Sequence, residues 1–316
     1  MSPFEIMLRN VLVFVALAIP GYILVKTKLM GENSSGVLSK TLTYFGMPFL
    51  ILSSTLNVSF SSEFTVQIIK VAVVGILFTV GLFFLSAFLV KKEDEKKRQG
   101  MARFCMVFSN NGFLGIPLAK AVFADSPVVT YLIILNIITN VLMFTLGVYL
   151  ISGDKSTISL KKALLNPILI AFIIGIIFNL TKVVTYVPEI SVFSNHFSNI
   201  VTPLSMTILG MKMAGVQFVA LFKKPSMYFV SSIKLVAVPV LAVACMFLLR
   251  LVIGVSDEMI LGVFIALAVP TAGLASAFSD RYDGDTENAV AFTLGSTILS
   301  IATIPVLYWL LCLILG

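Results

Sequence analysis

Charged and reactive side chains are scarce in this chain of 316 residues, and their absence from its apolar segments excludes whole classes of function. Only 12% of the residues are charged, and all 15 Asp and Glu lie in loops or near the ends of long apolar runs. The single histidine, His196, lies in a predicted loop. A membrane enzyme needs nucleophiles, general acids or metal ligands within such runs. Because no Asp, Glu or His falls in the middle of any run, we expect no catalytic residues and no enzyme.

Cysteine is equally sparse, and its placement argues against a disulfide or metal framework. Cys105, Cys245 and Cys312 all lie inside apolar runs, without the spacing of metal ligands. Such residues are typical of small buried hydrophobes, so we expect no bound metal and no cofactor. The net charge of +7 comes from basic residues that stand between apolar runs rather than along one face. That pattern indicates membrane topology rather than a nucleic-acid partner.

Apolar sequence is what the chain has in abundance. Of its residues 59% are hydrophobic and 26 are Phe, and the mean hydropathy is +1.06. A soluble domain has to cover its surface with charge, so this excess must face a lipid bilayer. A helix needs about 20 mostly apolar residues to cross a bilayer, and the first run is too long for a signal peptide. The predicted spans are 6–25, 37–56, 66–90, 101–124, 128–151, 167–184, 197–217, 226–253, 258–280 and 288–315.

These runs predict an all-α polytopic membrane protein with ten transmembrane helices, because lipid offers no partner to unpaired backbone groups. The orientation follows from the loops between the spans. Of the 22 Lys and Arg residues, 15 lie in loops on one side of the predicted membrane and four on the other. Since basic loops stay in the cytoplasm, both termini are predicted to lie outside.

The two halves of the chain repeat one another at an interval of roughly 155–160 residues. Pro48 in the second span corresponds to Pro203 in the seventh. The first repeat is predicted to cover 1–151 and the second 167–316, joined by a short cytoplasmic linker at 152–166. Five spans in each half force the second half into the membrane upside down, unless the spacing is coincidental. Inverted repeats are typical of secondary transporters.

Two spans are predicted to be broken at their centres. The fourth contains S-N-N-G-F-L-G-I-P-L at 109–118, and the ninth contains A-V-P-T-A-G-L-A-S-A at 268–277. Proline removes a helical donor and clashes with the preceding turn, while glycine leaves helical angles at no steric cost. A single proline in a membrane helix is often only a bend. Paired breaks at equivalent places in two repeats are the best sequence indication of a substrate site.

The chemistry at these breaks favours an anion. The helices that restart after each break direct the free N–H groups of their first turn towards the crossing, and such ends attract anions. Asn and Thr side chains add neutral donors, and no carboxylate opposes them, so a carboxylate ligand is predicted. The candidate binding residues are Asn110, Asn111, Gly112, Gly115, Pro117, Lys234, Pro270, Thr271, Ala272, Gly273 and Ser276. Asn136, Asn140 and Thr297 either support the site or only tie helices together.

Three lysines fall inside predicted spans. Lys234 lies ~12 Å into the eighth span at 1.5 Å per residue. An intramembrane lysine is a candidate functional residue, but its long side chain can also snorkel to the interface, and both interpretations stay open. Lys70 and Lys212 lie nearer the ends of their spans, so we expect them to snorkel.

The two broken segments also resemble a known family. The N-N-G-F-L-G-I-P-L break, the A-V-P-T-A-G-L-A-S-A-F-S-D-R-Y-D-G-D segment and the L-G-S-T-I-L-S-I-A-T-I-P of the tenth span are similar to the auxin efflux carriers. That family includes bacterial malate permeases. The resemblance covers essentially the whole chain, and the short loop at 152–166 resembles the bacterial members, which implies a bacterial cytoplasmic membrane.

The resemblance implies a fold similar to the bile acid symporters and sodium/proton antiporters, with two broken crossover helices. Spans 1, 2, 6 and 7 would form a scaffold and the face of a homodimer. Spans 3–5 and 8–10 would form a transport domain that moves as an elevator. Asn111 and Gly112 would flank the first crossover, with Pro117 after it, and Pro270 would mark the second. A substrate carboxylate would bind between them.

Malate-like dicarboxylates are the expected cargo. Auxin-like indole acids rank lower because Trp309 is the only Trp, and bile-acid-like substrates or a receptor built on a transporter fold are further alternatives. Some plant carriers have an acidic residue in the third span, and this chain has none. Proton coupling would therefore have to use the substrate or Lys234, and sodium held by neutral oxygens stays open as the other coupling ion.

Overall fold

The computed structural model describes residues 2–31, 34–56, 61–90, 95–124, 126–158, 161, 164–215 and 221–316. Apart from one isolated β-bridge, the regular structure in these ranges is helical. Four of the helices contain a π-helical turn in mid-course or at their start, at Leu42–Gly46, Asn111–Gly115, Met143–Gly147 and Ile233–Ala237. The helices are α1 (Pro3–Lys26), α2 (34–56), α3 (Ser62–Leu89), α4 (Lys96–Val107), α5 (Asn111–Phe123), α6 (Pro127–Ser152), α7 (Pro167–Leu180), α8 (Val183–Tyr186), α9 (Glu189–Ala214), α10 (Pro225–Ile253), α11 (Asp257–Ala268), α12 (Ala275–Arg281) and α13 (Thr286–Leu315).

Five of these helices, α1, α3, α6, α10 and α13, are long and apolar enough to cross a membrane. Four of the five, all but α10, begin at a side-chain cap. At the start of α1, for example, the Ser2 hydroxyl accepts from the Glu5 amide and the Glu5 carboxylate accepts from the Ser2 amide. The outward faces are apolar rather than charged. Phe88 is 76% exposed and Leu251 is 84% exposed, an arrangement that suits lipid and not water. The chain is a polytopic integral membrane protein.

Glycine allows the closest helix contacts. At Gly21 on α1, a Cβ atom would overlap the carbonyl of Thr207 on α9, and at Gly210 on α9 it would overlap the carbonyl of Ala18. At Gly175 on α7, a Cβ would overlap the Thr55 side chain on α2. In lipid, small residues at such interfaces let two backbones approach closely and gain van der Waals contact. The helices α1 and α9 therefore pack tightly as one pair, and α2 and α7 as another.

Two pairs of consecutive helices are separated by short extended segments. Helix α4 ends at Val107 and α5 begins at Asn111, while α11 ends at Ala268 and α12 begins at Ala275. The second interruption, 269–274, falls within the segment 268–277 that the sequence predicts to be broken, and the first, 108–110, overlaps the start of the predicted segment 109–118.

The cause of the first interruption differs from the expected one. Pro117 lies six residues into α5, just past its π turn, so it follows the interruption between α4 and α5 and does not cause it. Gly112 and Gly273 are not among the residues with positive φ, so their conformational freedom is not what the break uses. They provide space instead: a Cβ on Gly112 would press on the Met47 methyl at 2.8 Å.

We predict that Gly21→Ala separates α1 from α9, because the added methyl would overlap a backbone carbonyl that cannot move aside. Overpacking of this kind costs ~1–3 kcal/mol, which should lower the thermal midpoint of the detergent-solubilised protein by several degrees. The matched control is Gly81→Ala on α3, where a Cβ meets nothing within 4 Å. Equal midpoints for the two variants would contradict the close contact.

Candidate functional site

The site is built where the two extended segments cross. Ser109 and Thr271 form an antiparallel β-bridge. The Asn110 amide donates to the Pro270 carbonyl at 2.8 Å, and the Ala272 amide donates to the Phe108 carbonyl at 2.9 Å. Each segment thus satisfies backbone groups that the other would leave unpaired in the middle of the membrane.

The side chain of Thr271 fixes this crossing on its buried side. The Thr271 hydroxyl donates to the Cys105 carbonyl on α4 at 3.0 Å, and the Thr271 amide donates to the Ser296 hydroxyl on α13 at 3.2 Å. Thr271 and Ser296 are both fully buried. The second broken segment is therefore held to helices of both halves of the chain.

Lys234 lies behind the crossing rather than at the membrane interface. Its side chain, in the π turn of α10, is fully buried, and its ammonium donates to the Ser109 hydroxyl. Snorkelling, one of the two interpretations of this lysine, does not describe it. A buried cation of this kind is costly unless its donors are paired, so Ser109 couples Lys234 directly to the position of the first segment.

A cavity of about 500 Å³ opens in front of the crossing. Its walls come from α2, α5, α6, α7 and the two extended segments. Among the predicted site residues, those that line it are Asn110, Gly112, Asn136, Asn140, Ala272 and Gly273. The other lining residues are Thr43, Tyr44, Met47, Ser109, Phe113, Thr139, Met143, Phe144, Lys161, Leu165, Asn166, Pro167, Ile168, Leu274 and Arg281.

The remaining predicted site residues lie outside the lining of this cavity. Asn111 is only 2% exposed and its side-chain oxygen has no hydrogen-bond partner in the described structure. Thr297 lines a second, apolar cavity instead. The others that do not line the first cavity are Gly115, Pro117, Lys234, Pro270, Thr271 and Ser276. Two of these, Lys234 and Thr271, act on the cavity by holding the crossing.

The charges around the cavity have one sign. Lys161 and Arg281 line it and are both exposed, whereas the lining residues of the described chain include no Asp or Glu. Deeper in the cavity, the side-chain amides of Asn110 and Asn136 provide neutral donors, whereas the Asn140 amide nitrogen donates to the Asn136 carbonyl and to the Asn136 side-chain oxygen. The Asn136 side-chain nitrogen is buried without a hydrogen-bond partner, so it is available to an acceptor. Two cations at the mouth and amide donors inside fit an anion.

Sequence reasoning missed three cations near the site. In the sequence, Lys161 and Arg281 are two of the basic residues between apolar runs and indicate only membrane topology. Their place at the cavity follows from the tertiary fold. The prediction that Lys212 snorkels is wrong, because its ammonium donates to the Gly273 carbonyl at 3.0 Å. The reason is the break itself, which leaves that carbonyl free to attract a nearby cation. Lys70 reaches a helix end, the Ile253 carbonyl at 2.6 Å.

In the described residues, no cluster of three or more His, Cys, Asp or Glu could hold a metal ion. The site consists of backbone, amides, hydroxyls and cations around a solvent-open cavity, within a bundle of apolar helices. This fold and site are those of a membrane transport protein.

Comparison with known proteins gives the family. A model of the family described as membrane transport protein matches residues 6–308. The chain belongs to this family, which is that of the auxin efflux carriers, and the resemblance seen in the sequence is confirmed. It is also 26% identical over 302 residues to an uncharacterized transporter from Methanothermobacter thermautotrophicus, covering 94% of this chain and 96% of that protein.

We predict that Ser109 and Lys234 are energetically coupled. Ser109→Ala leaves the buried ammonium without its acceptor and should cost ~1–3 kcal/mol of stability. Lys234→Met removes the buried charge and should be neutral or stabilising. In the Lys234→Met background, Ser109→Ala should then cost less than ~0.5 kcal/mol. Thermal midpoints of the four proteins in detergent measure the coupling.

The matched control for this cycle is Ser194→Ala. Ser194 is buried and donates only to a carbonyl of its own helix, so its loss should be the same with Lys234 or with Met at that position. Equal losses from Ser109→Ala in both backgrounds would contradict the coupling.

Proposed function

We propose that this protein is a secondary transporter of a small organic anion, with malate-like dicarboxylates as the first substrates to test. The observation that carries the proposal is the cavity at the crossing, with Lys161 and Arg281 at its mouth and the amide donors of Asn110 and Asn136 inside. A carboxylate is the ligand that paired cations and amide donors favour. The family membership supports a transport function, and the residues that line the cavity support a negatively charged substrate.

The helices support a count of ten spans. We take α4 with α5 as one broken span, and α11 with α12 as another. With α8 set aside as a short connecting helix, α1, α2, α3, α6, α7, α9, α10 and α13 complete the ten. The two broken spans are then the fourth and the ninth, which are equivalent positions if each half contributes five.

Helix pairing supports the inverted repeat. Five spans per half make α1 equivalent to α7, α2 to α9, α3 to α10 and α6 to α13. The helix contacts agree with this equivalence. The pair α1 and α9 corresponds to the pair α7 and α2, and the pair α3 and α6 corresponds to the pair α10 and α13; the two helices of each pair pack against each other. We therefore propose 1–151 and 167–316 as the two repeats, with 152–166 as the linker.

Unequal packing of one equivalent pair supports alternating access. Helix α1 packs along α13, whereas their equivalents, α7 and α6, both line the open cavity. One side of the repeat is thus closed and the other open. We propose that α1, α2, α7 and α9 form a scaffold, that α3–α6 and α10–α13 form an elevator-like transport domain, and that motion exchanges the open and closed sides.

The basic loops support the orientation. Lys161 and Arg281 are among the basic residues on the predicted cytoplasmic side, so the cavity of this structure would face the cytoplasm, with both termini outside, in a bacterial plasma membrane. The outer faces of the scaffold helices are apolar and would carry a homodimer.

Two features of the mechanism stay open. The coupling ion is a proton or sodium, and the substrate can be another organic acid, such as an auxin-like or bile-acid-like molecule. The alternative to transport is a receptor built on a transporter fold.

The direct test is uptake of radiolabelled malate into proteoliposomes, with imposed proton and sodium gradients compared in the same preparation. We expect saturable uptake, driven by the gradient of the coupling ion. If the vesicles take up no malate under any gradient, the dicarboxylate assignment is overturned. A panel of other organic acids in the same vesicles then tests the broader class of organic anions.

We predict that the double variant Lys161→Gln/Arg281→Gln raises the KM for the anion roughly tenfold with little change in kcat, because rim charges attract the substrate more than they alter its bound state. Raising the salt concentration should raise the wild-type KM and leave that of the variant almost unchanged. The matched control is Lys155→Gln, which removes an exposed lysine of the same loop that does not line the cavity. A KM equal to that of the wild type would contradict the role of the two cations.

A further inference from the structure

A second cavity, of about 190 Å³, lies on the other side of the crossing. Its walls come from α1, α9, α5 and α13, and its lining is almost entirely apolar. Under the proposed equivalence of the repeats, α1, α9 and α13 correspond to α7, α2 and α6, which line the first cavity. Under that equivalence the second cavity is the repeat-related counterpart of the first, and at about 190 Å³ against about 500 Å³ it is the narrower of the two.

Two hydrogen bonds from α9 stand between the two cavities. The Ser205 hydroxyl donates to the Phe113 carbonyl at 3.0 Å, and the Lys212 ammonium donates to the Gly273 carbonyl at 3.0 Å. Phe113 and Gly273 line the first cavity. Met206 and Met213, which directly follow the two donors, line the second.

The two donors are seven residues apart, which places them on one face of α9, two turns from each other. One reaches the first broken segment and the other reaches the second, and both use backbone carbonyls at or near the breaks. Helix α9 thus forms the wall between the two cavities at the crossing, where the two proposed repeats meet.

We infer that Lys212 is a positioning residue that holds the second broken segment against α9 and keeps the path through the second cavity closed. The inference rests on the proposed alternating access. When that path opens, α9 and Gly273 must separate, and the ammonium loses a charged hydrogen bond in a site that water reaches poorly. Lys212 therefore biases the protein towards the state with the first cavity open, and it acts through Gly273 rather than by touching the substrate.

Side-specific labelling of a cysteine in the second cavity tests this role. Ser300 lines that cavity and is 3% exposed, so Ser300→Cys is a conservative reporter that reagent reaches only when the path opens. The three native cysteines are first replaced by alanine. A membrane-impermeant thiol reagent is then added to vesicles on the face opposite the basic loops, without substrate.

We expect slow labelling with Lys212, about tenfold faster labelling in Lys212→Met, and slow labelling again in Lys212→Arg, since the open state is the minor one and the loss of one charged bond shifts its population. Ser205→Ala should accelerate labelling in the same direction. The matched control is Lys70→Met, which removes another lysine-to-carbonyl bond, to Ile253 at the end of α10, and should leave the rate unchanged.

The outcomes separate this inference from the proposed function. Unchanged labelling in Lys212→Met and Ser205→Ala, in vesicles that still take up malate, overturns the role of Lys212 and leaves the transporter intact. Faster labelling that Lys212→Arg reverses supports the role even in vesicles that take up no malate. Acceleration by Lys70→Met as large as that by Lys212→Met would mark a general loosening of the helices and overturn the inference.

Discussion

An unpaired backbone amide or carbonyl in the hydrocarbon core of a membrane costs several kcal/mol, and this cost organises the centre of the molecule. Two helices are interrupted there, and each interruption exposes groups that lipid cannot satisfy. The chain meets the cost by crossing the two extended segments, so that Asn110 donates to Pro270 and Ala272 donates to Phe108. Every other feature of the site depends on that crossing.

The crossing also explains where the buried polar groups are. Thr271, Ser296 and Lys234 have no role on a lipid-facing surface, yet all three are fully buried around the extended segments. They supply donors and acceptors on the side away from the cavity, which leaves the cavity side free for a ligand. Because the buried side of the crossing is held by hydrogen bonds and its other side faces the cavity, the proposed site can bind an anion without a change in its backbone.

Lysines have different tasks in this protein according to their depth. Lys161 stands at the mouth of the cavity, where water surrounds it and its charge acts at a distance. Lys234 is fully buried and fixes Ser109, while Lys212 is half-buried and holds Gly273 across the boundary between α9 and the second broken segment. A lysine ammonium that stays hydrated can attract an anion from a distance. One that has exchanged its water for protein carbonyls or hydroxyls instead holds two parts of the protein together.

The amino-acid sequence by itself determined the membrane class, the places of the breaks and the family. Length and hydropathy define a membrane span because the bilayer has a fixed thickness. Proline with glycine marks the neighbourhood of a break, although at the first break Pro117 follows the interruption and Gly112 provides space rather than an unusual backbone conformation. Both signals are local, so they can be read without knowing what the chain packs against.

Only the tertiary structure decided which polar residues face the cavity. Asn110 and Asn111 are adjacent and chemically identical, yet Asn110 lines the cavity and Asn111 is buried behind it. The place of Lys212 likewise depends on α9 lying beside a segment 61 residues further along the chain. Such facts follow from the direction in which each backbone leaves its helix and from contacts between distant residues, and neither is encoded in the local pattern of a single span.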